Sequence, residues 1–540
     1  MLSALLLPAA VGAQNPSQPA AETRVGPPRG TVIAVGGGLI GADVYRAFID
    51  AAGGPDALIV DVPTAGGDNA YAQDALGAQL LRRAGARNVV VVHTTDRAVA
   101  DGDSLAAIVH RAGGVWFDGG RQFRLVDAYG GTRLEAAFHD VLARGGVVGG
   151  SSAGATILGD FLVRGAPSNN NFIMDDPRYE NGFAFLRGVA IDQHVVARSR
   201  LPDLADSIAP RYPHLLPISE DEGTAWVVRG DTATIVGAGE AFAYQATEHD
   251  PGKPFLTLHP GDVFNLATRT IVRRASDRLP GFRAMVDSIM APYRDPKRGG
   301  ATVLVALDGA VLVDTSYGIP PQQRYMPTTM LPLFDVGDIA TLFRGLCAEL
   351  PPAAPRSGAS TRQSTRDGGA VQARSTLQGC IARDIGRRAG IHRTNARSDG
   401  TVESSVDELY RFALALDEPM RFAPADGSDA GADDAEARDG DAREAAAPDL
   451  TRGWTPDSAL GAVRFSAFAA SGGKRSAIER IPSRGVTIII LTNDANANAR
   501  GMAERMARPL LAAGQVHDSS RARPSPASAA PARAPATLSP

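Results

Sequence analysis

Gly146-Val147-Val148-Gly149-Gly150-Ser151-Ser152-Ala153-Gly154-Ala155-Thr156-Ile157-Leu158 passes from an apolar strand-like run through a glycine- and serine-rich turn into a helix-like run. Gly150 to Gly154 fit the pattern G-x-S-x-G. Glycines on both sides of Ser152 allow a sharp strand-to-helix turn, which presents the middle serine strained and exposed at the carboxyl end of a strand. The amide of the next residue, Ala153, can then donate to an oxyanion, helped by the positive end of the helix. The turn therefore makes Ser152 the candidate nucleophile.

Working outward, Thr31 to Val35, Ala57 to Val62, Asn88 to Val92 and Gly114 to Phe117 are short β-branched or aromatic runs. Between them lie helical stretches: one through Ala47 and Ile49, Gln73 to Ala84, Asp103 to Arg111 and Leu134 to Ala143. Buried strand runs alternating with amphipathic helices predict an α/β fold, a parallel sheet covered by helices on both faces. Further strands are expected at Val189 to His194, Thr224 to Val228 and Thr232 to Val236, closing a first domain over residues 30–274. A second domain, residues 278–514, reads as α+β, with strands at Ala301 to Val305, Ala310 to Asp314 and Gly485 to Leu491 and a helix at Asp407 to Leu416. Residues 351–376 and 423–449, low in hydrophobicity, are expected to be disordered inserts, and residues 516–540 a disordered tail.

Lys and Arg total 55 against 59 Asp and Glu, so bulk charge gives no case for binding nucleic acid or an anionic membrane. Residues 1–13, MLSALLLPAAVGA, read as a secretory signal with a small-x-small cleavage pattern, followed by a polar leader over 14–29. That predicts a secreted or periplasmic protein without a membrane span, since the apolar run falls short of roughly 20 residues. Cys347 and Cys380, the only cysteines, exclude a multi-bridge scaffold and leave open whether one bridge forms. The nine histidines are scattered, with no HExxH pair, so neither metal nor cofactor is expected.

A nucleophilic serine needs a base, and the base an orienting acid. His194 closes an apolar strand run behind Asp192 and Gln193, and Glu222 precedes another strand. With GSSAGA at 150–155, IDQHVVARSR at 191–200, SEDEGTAW at 219–226 and FDGGRQFR at 117–124, residues 30–270 resemble the cyanophycinase-type serine peptidases. Aspartyl dipeptidases belong to the same family. The resemblance implies the class I glutamine amidotransferase-like fold, with Ser152 as nucleophile, His194 as base and Glu222 as orienting acid. It implies Gly120 and Ala153 as oxyanion donors, and Gln122, Asp192, Gln193, Arg198 and Arg200 as substrate contacts. The order Ser, His, Glu differs from that of α/β-hydrolases, where the acid precedes the histidine. The resemblance implies a peptide or cyanophycin-like substrate, and Leu201-Pro202-Asp203, standing where that family has a further arginine, leaves open which one. A homodimer is compatible with this reading.

Residues 281–320 and 331–345 resemble the serine β-lactamase fold, with Asp338 at the expected serine position and Thr341 at the lysine position. Lacking nucleophile and base, this half is expected to be inactive and to pack against or present substrate to the first. Two rival readings are a binding pseudoenzyme and an α/β-hydrolase-type esterase.

Overall fold

A computed structural model of the chain describes residues 24–168, 172–174, 176–319, 333–350, 376–418, 422, 449–459, 461–469 and 475–514. The signal, most of the leader, nearly all of both inserts and the tail lie outside these residues.

Five strands form the parallel core of a nine-stranded sheet, in the order Thr31–Val35, Val147–Ser151, Gly114–Phe117, Leu58–Val62 and Asn88–Val91. Thr31–Val35 is buried throughout, as a strand covered on both faces must be. Helix Ala42–Ala51 buries Val44, Tyr45, Phe48 and Ile49, two adjacent pairs one helical turn apart. Tyr45 and Phe48 meet Trp116 at ring-centroid distances of 5.6 and 5.1 Å. On the other face Leu134, Phe138 and Val141 join Val32, Val148 and Phe117 in one cluster.

The expectation of a wholly parallel sheet is corrected on two counts. Thr224–Arg229 pairs antiparallel with Thr31–Val35, and Thr232–Gly237, Val263–Asn265 and Thr270–Arg273 extend the sheet antiparallel from it. The connections at 230–231 and 266–269 are too short for the crossover a parallel neighbour requires. Leu186–Gln193, expected in the main sheet, lies instead in a second, five-stranded sheet beside Leu216–Glu220.

Beyond residue 300 six of the strands form an antiparallel sheet, with Val486–Thr492 and Ser476–Ile481 at its centre and Ala301–Leu307 beside Val486–Thr492. Its period-two alternation is clean: Val303 and Val305 face helices Phe282–Met290 and Ala499–Gly514, and Leu304 and Ala306 face helices Ala340–Glu349 and Val406–Leu416. Cys347 and Cys380 are bridged, tying Ala340–Glu349 to Leu377–Cys380. Among the described residues no helix is long and apolar enough to cross a membrane.

Candidate active site

Three core strands end side by side, and the loops after them form one surface. Gly36-Gly37-Gly38 follows Thr31–Val35, Asp118-Gly119-Gly120 follows Gly114–Phe117, and Ser152 follows Val147–Ser151. Loops at the carboxyl ends of parallel strands are where open α/β sheets bind ligands. Ser152 sits there at φ 57° and ψ −115°, a conformation costly for a residue with a side chain, and helix Ala153–Thr156 begins directly after it. The turn expected from the glycines is present, with strain at the serine itself.

The second sheet delivers the partners. Leu186–Gln193 and Leu216–Glu220 run parallel with Gln193 opposite Glu220, so the residues that follow, His194 and the Asp221–Glu222 turn, leave the sheet together. His194 Nε2 lies 2.9 Å from Ser152 Oγ, and His194 Nδ1 lies 2.6 Å from Glu222 Oε1. The imidazole is nearly buried, at 5% exposure. Burial alone would raise the Glu222 pKa, but hydrogen bonds from His194 and His392 outweigh it and hold the carboxyl far below its usual range. Glu222 is therefore an anion poised to accept from the imidazole, and the chain Ser152–His194–Glu222 can move a proton off the serine hydroxyl.

The triple glycine after Thr31–Val35 has a specific part. A methyl group added at Gly37 would lie 2.3 Å from His194 Cε1, and one at Gly38 would lie 2.5 Å from Glu222 Oε2. The backbone also fastens the site, with His194 N–H donating to Gly36 O at 3.1 Å and Gly223 N–H to Gly37 O at 2.9 Å. Three consecutive glycines, where a turn needs one or two, were the signal available in the sequence.

Of the expected oxyanion donors, Ala153 directly follows Ser152 and is buried. Gly119 is the loop glycine beside the serine: a methyl group on it would lie 3.4 Å from Ser152 Cβ, whereas one on Gly120 would strike Ala65 O. The expected substrate contacts divide sharply by exposure. Arg198 is exposed in the turn after His194, but Asp192, Gln122, Gln193 and Arg200 are all buried. Gln122 Nε2 donates to Val163 O at 2.7 Å. Asp192 is taken up by Arg164, a residue missed from sequence, whose Nε and Nη2 donate to the two carboxylate oxygens at 3.0 and 2.9 Å. Arg164 also pairs with Asp203, which stands in the stretch where the resemblance places a further arginine. Burial first, and then the Arg164 charge, lowers the Arg200 pKa to about 10.

Asp61, in strand Leu58–Val62, is fully buried, and its pKa is raised by that burial and by the charge of Asp118. A carboxyl whose pKa is raised on folding keeps a proton that the unfolded chain releases, so stability falls as pH climbs from the unfolded value toward the folded one. Thermal melts between pH 5 and 9 should show the wild type losing several degrees more than Asp61→Asn, on a scale of roughly 2–4 °C per kcal/mol. Parallel curves would remove this assignment.

No metal pattern stands out in the sequence, yet the fold gathers Glu240, His259 and Asp314 from three separate stretches. His259 Nε2 lies 3.5 Å from Glu240 and 3.6 Å from Asp314. Burial opposes a charged ring, but Asp314 and Glu240 prevail and raise the His259 pKa well above its ordinary value. The group thus reads as an imidazolium between two carboxylates, joining the two halves of the chain.

Residues 32–236 match peptidase family S51. The cyanophycinase of Synechococcus elongatus is 30% identical over 269 residues, spanning 45% of this chain and 81% of that protein. The chain belongs to peptidase family S51. It is a peptidase, a hydrolase, and similar to cyanophycinases. Among solved structures, a peptidase from an acI-B1 Actinobacterium is 23% identical with a TM-score of 0.36, covering 45% of this chain and 98% of that one. The D-alanine carboxypeptidase AmpC from Burkholderia cenocepacia is 14% identical with a TM-score of 0.29, covering 44% of this chain and 99% of that one. In this S51 chain the region outside the family match includes His392 and Arg411, both of which touch the Glu222 turn.

Proposed function

We propose that this chain is an exported serine peptidase that cleaves a peptide or isopeptide bond of a cyanophycin-like substrate through an acyl-enzyme. The observation that carries the reading is the hydrogen-bonded chain from Ser152 Oγ through His194 to Glu222, set on a strained strand-to-helix turn. Ser152 Oγ attacks the carbonyl carbon while His194 Nε2 takes its proton, and Glu222 steadies the imidazolium. The Ala153 amide, with a donor from the Gly119-Gly120 loop, faces the oxyanion. His194 returns the proton to the leaving amine as the C–N bond breaks. Water then attacks the acyl ester by the same route in reverse, releasing the acid and restoring the serine.

Export is supported by the apolar start of the chain and by the Cys347–Cys380 bridge, since structural disulfides belong to oxidising compartments. The class I glutamine amidotransferase-like reading of residues 30–274 is supported by the parallel core and the serine turn. The β-lactamase-like reading of residues 278–514 is supported by its antiparallel sheet between helical layers. At the position expected for its nucleophile stands Asp338, and Thr341 bonds back to Asp338 O at 2.7 Å.

The test is incubation of the whole chain with cyanophycin, β-Asp-Arg and α-aspartyl dipeptides, with products read by mass spectrometry, alongside labelling by a fluorophosphonate. Expected are a label on the Ser152 peptide and release of arginine-bearing or aspartyl products. A wild type that takes no label and cleaves none of these would make the chain a binding pseudoenzyme.

A further inference from the structure

Glu222 has two carboxylate oxygens, and only one is used by His194. The other, Oε2, lies 3.1 Å from Nε2 of His392, 170 residues farther along the chain. The same turn is held a second time. Arg411 Nη1 donates to the Glu222 carbonyl at 2.7 Å, and its Nη2 to Asp221 Oδ2 at 3.0 Å. Asp221 in turn accepts from the backbone N–H groups of Val196 and Ala197, just after His194, at 3.2 and 3.0 Å.

Room has been left for this guanidinium. A methyl group on Gly239 would lie 2.2 Å from Arg411 Nη2, and one on Gly223 would lie 3.4 Å from Nη1. Arg411 is buried in that cradle. Both contacts trace to one helix, Val406–Leu416. Glu408, one turn before Arg411, accepts the N–H groups of His392, Arg393 and Thr394 at 2.9–3.1 Å and so fixes the loop that carries His392. Residues three apart share a helix face, so Glu408 and Arg411 point the same way. A half that served only to pack would not aim a histidine at a carboxylate already bonded to another histidine.

We infer that the second half of the chain is part of the catalytic apparatus: His392 and Arg411 are positioning residues that hold the Glu222 carboxylate and its turn in register with His194. This rests on the serine peptidase reading proposed above. Each acts through the Glu222 turn, which His392 meets at Oε2 and Arg411 at the backbone carbonyl. When one carboxylate oxygen is anchored, the other is constrained toward His194 Nδ1, and the ring in turn toward Ser152.

The experiment uses the full chain, with His392→Leu, His392→Gln, Arg411→Met and Arg411→Lys. Each is measured for kcat and KM on the cleaved substrate and for its thermal midpoint. His392 is half exposed, so its variants are expected to fold, and they carry the test if Arg411→Met does not. Expected are a fall in kcat of about 10- to 100-fold for His392→Leu, as for loss of other groups that orient a working side chain, with KM within about twofold. His392→Gln, which restores an N–H donor, should recover most of that loss, and Arg411→Lys should recover part of the loss in Arg411→Met. A folded His392→Leu with wild-type kcat, on a wild type whose Ser152 takes the fluorophosphonate label, overturns this inference and leaves the peptidase reading intact. An unlabelled wild type overturns both.

Discussion

Ser152→Ala is expected to lower kcat by about 10⁴- to 10⁶-fold, with substrate binding and thermal midpoint little changed. The size follows from what the hydroxyl does: with Oγ gone no ester can form, and what remains is the oxyanion loop and whatever water reaches the carbonyl. Glu222→Gln should cost kcat on the order of 10⁴-fold, because the amide can present its NH₂ to His194 Nδ1, favour the wrong tautomer and fail to balance an imidazolium. The 2.6 Å Glu222–His194 contact makes this a strong dependence. Ser152→Ala/Glu222→Gln should be no worse than Ser152→Ala alone, since residues that act as a unit lose their effect together. Steady-state rates and fluorophosphonate labelling read all three. A Glu222→Gln enzyme within about tenfold of wild type would move the acid elsewhere in the site and revive the esterase-type order of residues.

What the sequence made visible was mostly local. Val147-Val148 leading into Gly-Gly-Ser-Ser, and β-branched runs at Thr31 and Gly114, announce strands whose ends must hold a site, because the pattern and the turn chemistry act within a few residues. The contacts that complete the site are long-range and carried no local mark. Glu220, Asp221 and Glu222 in a row read most simply as a solvated loop, yet the fold spends each differently: Glu220 is buried in a strand, Asp221 is paired with Arg411, and Glu222 is bonded to two histidines. The resemblance alone implies Asp192 as a substrate contact. Alternation along the strand does not reveal that Arg164 lies against it. His392, in a half of the chain read as silent, has no motif around it. Only the packing of helix Val406–Leu416 brings it to Glu222.

Gly37→Ala is expected to reduce kcat at least about 100-fold while the protein still folds, and it separates the two reasons a glycine can be required. Gly37 has φ +87°, so any side chain there is strained by roughly 1–2 kcal/mol. That strain alone would lower stability without touching the chemistry. The added methyl, however, would lie 2.3 Å from Cε1 and 2.4 Å from Nε2 of His194, well inside contact distance. His194 is held at Nδ1 by Glu222, so the ring or the loop must give way, and either motion carries Nε2 off Ser152 Oγ. A shift of about 1 Å in a reacting group costs on the order of 100-fold. Gly131→Ala supplies the control, because Gly131 has φ +74° and a methyl group there meets nothing within 4 Å. It should lose comparable stability and keep its full rate. Melting curves and kcat for the two variants decide the matter: equal, small losses of rate would mean that the triple glycine serves the turn alone, and that the imidazole has room the geometry denies it.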